Sequence, residues 1–200
     1  MLDQAKRFTE FCKSNFKSFF VNKVVLDVGS GDINGNNRFL FENCKYNGND
    51  VYAAKNVTIV SKTTALPFGE NTFDTICSTE CFEHDPEYED SFRKIVSMLK
   101  PGGLFFFTCA STGRAEHGTR RTSPRDSYGT IGNVDGWTDY YKNLTFEDLD
   151  KAIDVKVVFK QYASYYCPDT KDLYFYGIKH GGSETFEVPI YKSDNCVKTS

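Results

Sequence analysis

The chain predicts a single doubly wound α/β domain, and three observations carry that expectation. Val24-Val25-Leu26-Asp27-Val28 is a short apolar run rich in β-branched residues and broken by Gly29, the pattern of a buried parallel strand. Phe92, Ile95, Val96 and Leu99 recur as one helical stripe that Pro101-Gly102-Gly103 stops. Leu104-Phe105-Phe106-Phe107-Thr108-Cys109 has no polar face, so it reads as a central strand covered on both sides.

The remaining elements follow in order. Phe8, Phe11, Cys12, Phe16, Phe19 and Phe20 recur at three- and four-residue spacing, which makes residues 1–22 an amphipathic helix that packs on the core. The core domain spans 23–180. A short helix is expected over 36–45, a second strand ending at Asp50, a third at Val57-Thr58-Ile59-Val60 and a fourth at 72–78. Only 51–56 separate the second and third strands, too few for the usual intervening helix. Asp85 and Pro86 open the helix that carries the Phe92 stripe. Residues 111–143 are polar and glycine-rich, a long loop or insertion of the length that is usually functional or disordered. Thr145 with Asp148 forms a helix-start capping signal before Leu149. Strands over 155–166 and 173–178 form an antiparallel pair, and the tail, 181–200, has little pattern and is expected to be partly disordered.

The 200 residues suit one domain, and the formal charge of -3 gives no global attraction for a phosphate backbone, so no nucleic-acid partner is expected. Seven cysteines, an odd number without CxxC spacing, read as reduced core thiols. No cluster with metal-ligand spacing is visible, so no metal is expected. With no apolar h-region at the N-terminus and no run of about 18 apolar residues, a cytoplasmic chain without a membrane span is expected. Oligomeric state is open.

The chemistry concentrates at Asp27-Val28-Gly29-Ser30-Gly31. A strand running into a glycine turn presents backbone N–H groups to a ligand, and side chains there would block its approach. The third glycine of a dinucleotide loop is displaced to Gly35. Asp27 would repel a pyrophosphate but suits an ammonium such as that of S-adenosylmethionine (SAM). Asp50, 19 residues beyond Gly31, ends the next strand, where an acid accepts hydrogen bonds from ribose hydroxyls.

These residues resemble the class I SAM-dependent methyltransferases, in particular the small-molecule branch similar to the quinone-biosynthesis enzymes. The resemblance covers Val24 to Ile178 and rests on Val25-Leu26-Asp27-Val28-Gly29-Ser30-Gly31, on Leu66-Pro67-Phe68 followed by Thr72-Phe73-Asp74, on Phe82-Glu83-His84, and on Met98 to Leu104. It implies a mostly parallel, seven-stranded Rossmann-like sheet with its last strand antiparallel. It further implies SAM as cofactor, with Asp27, Gly29, Ser30 and Gly31 at the methionine part, Asp50 at the ribose, and Thr64, Ala65 and Leu66 beside the adenine. The family's acid near Thr63 or Thr64 is missing here.

The expected reaction is methyl transfer to an O or N of a small-molecule or glycan-like acceptor. His84, beyond the fourth strand, is the candidate general base, set against a packing role at the helix entry. Cys81 lacks the preceding proline of adduct-forming methyltransferases and reads as structural. The insertion gathers Arg114, His117, Arg120 and Tyr140 as candidate acceptor contacts. Its arginines suit an anionic acceptor, or else pair with Glu116, Asp126 and Asp135. Two readings from other classes stand beside this one: a catalytically silent SAM- or nucleotide-binding module, and a nicotinamide oxidoreductase, which Asp27 and the displaced Gly35 disfavour.

Overall fold

The computed structural model describes residues 3–193 and 195–200. One eight-stranded sheet has the order β3-β2-β1-β4-β5-β7-β6-β8. Its parallel half comprises β1 (Val24–Val28), β2 (Lys45–Asp50), β3 (Ile59–Val60), β4 (Phe73–Thr79) and β5 (Leu99–Ala110). β7 (Asp172–Lys179) runs antiparallel to both β5 and β6 (Phe159–Cys167). Strand order reverses between β1 and β4, so a crevice opens outside their carboxyl ends, where open α/β sheets hold ligands.

Alternation along β5 explains the two cores. Phe105 and Phe107 face one side, with Phe92, Ile95 and Met98 of α2 (Tyr88–Met98) and Leu149 of the later helix Phe146–Ile153. Leu104 and Phe106 face the other, where α1 (Asp3–Asn15) supplies Phe8 and Cys12, followed by Phe16, Phe19 and Phe20. Phe8 is fully buried, so Phe8→Ala would cost about 3–5 kcal/mol. Thr145 and Asp148 form the expected reciprocal cap on the Phe146–Ile153 helix.

Four local expectations need correction. The helix expected over 36–45 shrinks to one 3-10 turn, Arg38–Leu40, because the Asn36 side chain accepts the Arg38 amide at 3.0 Å and competes with helical bonding. Residues 155–158 are a helical turn rather than strand, held by Asp150 accepting the Val155 amide at 2.9 Å. An eighth strand, β8 (Val197–Lys198), pairs with β6, and Tyr191 packs edge-on against Phe8 at 5.3 Å, so the tail lies on the fold. Cys167 and Cys196, read as separate thiols, form a disulfide, because β8 carries Cys196 back to the end of β6. The other five cysteines are free. No helix among the described residues is long and apolar enough to cross a membrane.

Candidate functional site

The turn after β1 is shaped by what would happen if its glycines had side chains. Gly29 has φ of +69°, and a Cβ there would lie 2.3 Å from Cys81 Sγ. A Cβ on Gly31 would lie 2.2 Å from the ring of Tyr128 and 2.9 Å from Asp50 Oδ2. The turn therefore accepts the end of β2, the β4 exit and the insertion at close range. Cys81 is half-buried at the cleft, with its thiol pushed well above the ordinary value by desolvation, the state of a packing thiol rather than a nucleophile.

A cleft of about 360 Å³ runs from this turn across the carboxyl ends of β1 and β4. Asp27, Gly29, Ser30, Gly31 and Asp50 line one end, while Glu80, His84, Arg114 and His117 line the other. The insertion also contributes Tyr128 and Trp137, which brings it over the crevice beside Gly29. Lys142 and Leu144 anchor its far end, their amides donating to the Glu83 carbonyl and the Ala110 carbonyl at 2.9 Å each.

Asp27 is 1% exposed; Asn37 Nδ2 donates to its Oδ1 at 3.0 Å and the Tyr46 hydroxyl donates to its Oδ2. Burial raises its pKa and these hydrogen bonds oppose the rise. Asn37 Oδ1 is buried without a partner, which leaves an acceptor beside Asp27 for an ammonium. Asp50 accepts the amides of Gly31 at 3.0 Å and Val51 at 2.8 Å. Burial pushes it up to about 6, with the two amides pulling the other way. Its oxygens retain lone pairs for ribose hydroxyls.

Not every expected residue reaches the cleft. Thr64 donates to Glu87 Oε2 at 2.7 Å, Leu66 is 3% exposed within the core, and neither they nor Ala65 line it. Arg120 is bound to Asp139 at 2.7 Å outside the lining, and Tyr140 is also outside it. Tyr128 of the insertion lines the cleft, and the ring of Tyr52, outside the lining, stacks on it with centroids 6.3 Å apart. Sequence reasoning passed over Tyr52, Tyr128, Asn37 and Tyr46, whose roles depend on how a long insertion and an asparagine-rich loop fold back.

At the far end the arginines meet carboxyl groups. Arg114 is tied to Asp172 at 3.0 Å and Arg121 to Glu116 at 2.8 Å. Glu80 sits at φ of +53°, a strained conformation for a side-chain-bearing residue, and accepts Thr108 Oγ1 at 2.8 Å. Asp172 is pushed up to about 7 by burial and by Glu80, with Arg114 opposing. Glu83 is fully buried, its pKa raised well above normal by desolvation and by Glu80. His84 is 7% exposed with Nδ1 unpartnered; burial and the nearby His117 push it down to about 3, so it stays neutral at ordinary pH. A conjugate acid that strong makes a poor proton acceptor, which weakens the general-base role expected for a histidine near 6.5.

Residues 26–107 match the model of a family described as a methyltransferase domain. That segment runs from β1 into β5 and covers less than half of the 200 residues. A sterol 24-C-methyltransferase of Kluyveromyces lactis is 34% identical over 42% of this chain and 27% of the relative. A phosphoethanolamine N-methyltransferase 2 of Caenorhabditis elegans is 39% identical over 24% of this chain and 11% of its own. The chain thus spans about a quarter or less of the length of these curated relatives. Among solved structures, the 1,6-didemethyltoxoflavin-N1-methyltransferase of Burkholderia thailandensis, with its substrate and S-adenosylhomocysteine, has a TM-score of 0.60. It is 14% identical, over 90% of this chain and 79% of that one. The Haemonchus contortus phosphoethanolamine N-methyltransferase 2 has a TM-score of 0.58 at 16% identity, over 86% of this chain and 53% of that one. At these identities the structural likeness establishes the methyltransferase fold. The insertion, residues 111–143, lies beyond the matched segment.

Proposed function

We propose that this chain binds SAM along Asp27, Gly29 to Gly31 and Asp50, and transfers its methyl group to a small-molecule acceptor held under the insertion. The observation that carries the reading is the single cleft joining the glycine turn to His84 and His117. Asp27, held by Asn37 and Tyr46, meets the ammonium, and Asp50 meets the ribose. The Tyr52 and Tyr128 rings take the adenine between them, for which the present 6.3 Å need widen only to about 7 Å. Thr64, Ala65 and Leu66, on the turn packed beside α2, take no part in this reading.

The transfer is an in-line displacement: the acceptor lone pair bonds to the methyl carbon, the carbon–sulfur bond breaks, and its electron pair neutralises the sulfonium. Positioning carries most of that step. His84 Nδ1 accepts a hydrogen bond from the acceptor group and orients it, while the acceptor proton leaves to water. The arginines expected to meet an anion are already paired with carboxylates, and Glu80 lines the cleft, so the acceptor is uncharged or cationic. Trp137 Nε1, buried and unpartnered, offers it a donor. A nucleic-acid-free role belongs to this reading on the grounds of the -3 charge, and a cytoplasmic one rests on five free thiols set against one disulfide.

The test is calorimetry with SAM and with NADH, followed by label transfer from SAM into pools of alcohols, phenols, amines and carboxylates. SAM binding with transfer to a neutral or amine pool supports the reading. Tighter NADH binding ends it, and SAM binding without any transfer leaves a silent SAM-binding module.

A further inference from the structure

We propose that Glu83, His84 and His117 form a binding site for one divalent transition-metal ion, zinc by the chemistry of its ligands, at the acceptor end of the cleft. The ion's catalytic use rests on the methyl-transfer reading; its binding does not. The three residues each present one ligand atom, and these atoms all lie within 4.8 Å of one another. Their sequence positions hide this. Glu83 and His84 share the turn after β4, and His117 arrives from the insertion.

The case turns on lone pairs that face one another. Both Glu83 oxygens are buried with no hydrogen-bond partner of good geometry, the amides of Glu83 and Ala110 lying near enough only to lower its pKa somewhat. An unpartnered buried carboxyl is costly, and coordination of a cation offsets that cost. His117 Nδ1 contacts the Ala115 carbonyl at 3.1 Å; a carbonyl only accepts, so that nitrogen carries the hydrogen. Its Nε2 then presents a lone pair to Glu83 Oε1, 3.8 Å away. His84 Nδ1 adds a third unpartnered acceptor. A proton can bridge two of these atoms but not three. A cation with several coordination positions satisfies them all.

Two imidazoles and one carboxylate form the ligand set of catalytic zinc and of non-haem iron, and three protein ligands leave a position open. The Ala115 carbonyl on His117 is the outer-shell contact that fixes a ligating tautomer. Zinc bonds of about 2.0–2.2 Å require the ligand atoms to draw in to about 3.3 Å of one another. His117, on the insertion with its side chain 20% exposed, is the ligand free to move. Because His84 and His117 line the cleft, the open position faces the acceptor. An acceptor hydroxyl bound there, in place of a direct hydrogen bond to His84, sheds its proton to solvent at neutral pH. Its oxygen then takes the methyl group, the carbon–sulfur pair stays on sulfur, and the neutral ether leaves the ion.

The test uses the full chain stripped with a chelator and titrated with Zn(II) by calorimetry and with Co(II) by visible absorption. We expect one equivalent of each, with the intense Co(II) bands of a four- or five-coordinate site. His117→Ala and Glu83→Gln should each weaken binding about 100-fold or more. SAM titration and thermal unfolding of the same variants verify that they are folded. Failure of the stripped wild type to bind one equivalent, or unchanged affinity in folded His117→Ala, overturns the site. Metal binding without SAM binding would sink the methyl-transfer reading and leave the ion site standing; SAM binding without metal does the reverse.

Discussion

The Gly31 amide donates to Asp50 Oδ2 over 3.0 Å, which ties the glycine turn after β1 to the end of β2. Burial nevertheless holds Asp50 near 6. The charged carboxylate is the form that receives ribose hydroxyls, so SAM affinity should be flat above pH 7 and fall up to about tenfold per unit below 6. Stability of the free chain moves the other way. A carboxyl raised in the fold disfavours the native state when ionised, so this group's cost, on the order of 3 kcal/mol, is relieved as pH falls from 7 towards 4. Calorimetry of SAM binding from pH 5 to 8 checks the first, and a flat profile there would remove Asp50 from the ribose.

Gly29→Ala should abolish most SAM binding. Its φ of +69° strains any side chain, and the new Cβ would meet Cys81 Sγ at 2.3 Å. A loss of about 1–3 kcal/mol in stability is expected with it. The double variant with Cys81→Gly should recover part of that stability, since only the contact and not the backbone strain is relieved; chemical denaturation of the three proteins measures it.

Tyr52→Ala and Tyr128→Ala should each weaken SAM by about 1–3 kcal/mol, the usual worth of a base stacked on an aromatic ring. Sinefungin, which keeps the adenine, should lose as much, whereas methionine alone should not respond. Equal losses for methionine would mean that the rings shape the cleft rather than hold the base.

How far the residues could be read in advance follows from whether their partners are local. β1, its glycine turn and the Phe92 stripe were legible because period and punctuation are written within a few residues, and so was the Thr145–Asp148 cap. The places of Asp27 and Asp50 were legible for the same reason: Asp27 is next to last in β1 and Asp50 ends β2. His117 meeting Glu83 was not, since nothing periodic sets how residues 111–143 fold back, and the pairing of Arg114 with Asp172 depends on β7 lying next to β5. The arginines read as anion contacts, Arg114 and Arg120, are each paired with a carboxylate, and those partners were equally hidden in the sequence. Cys196 was misread because a two-residue strand carries no pattern of its own.

The disulfide between Cys167 and Cys196 closes a loop across a separation of 29 residues, worth about 3–4 kcal/mol on the chain-entropy account. Cys196→Ser should lower the unfolding midpoint and free β8 while leaving SAM affinity unchanged, because neither cysteine lines the cleft. Reducing compartments open such bonds, so intact mass of protein from its native compartment also bears on location: a reduced pair supports the cytoplasm, an oxidised one an oxidising compartment.

His84 separates orientation from proton abstraction. With its imidazole held near pKa 3, it is neutral from pH 5 upward, so turnover should show no inflection near 6.5 from this residue. His84→Ala should lower kcat about 100-fold and leave SAM affinity within about twofold, because the ring touches the acceptor end of the cleft and not the glycine turn. A packing histidine would behave differently: its loss would lower the unfolding midpoint and spare the kcat of the folded remainder. His84→Asn keeps a hydrogen-bond acceptor of similar reach, so it should restore part of kcat if the ring orients the acceptor directly. If an ion stands between them, it should restore none unless the ion is retained. Measuring midpoint, SAM affinity, kcat and bound zinc on both variants distinguishes these cases, and full kcat in folded His84→Ala would remove the residue from the reaction.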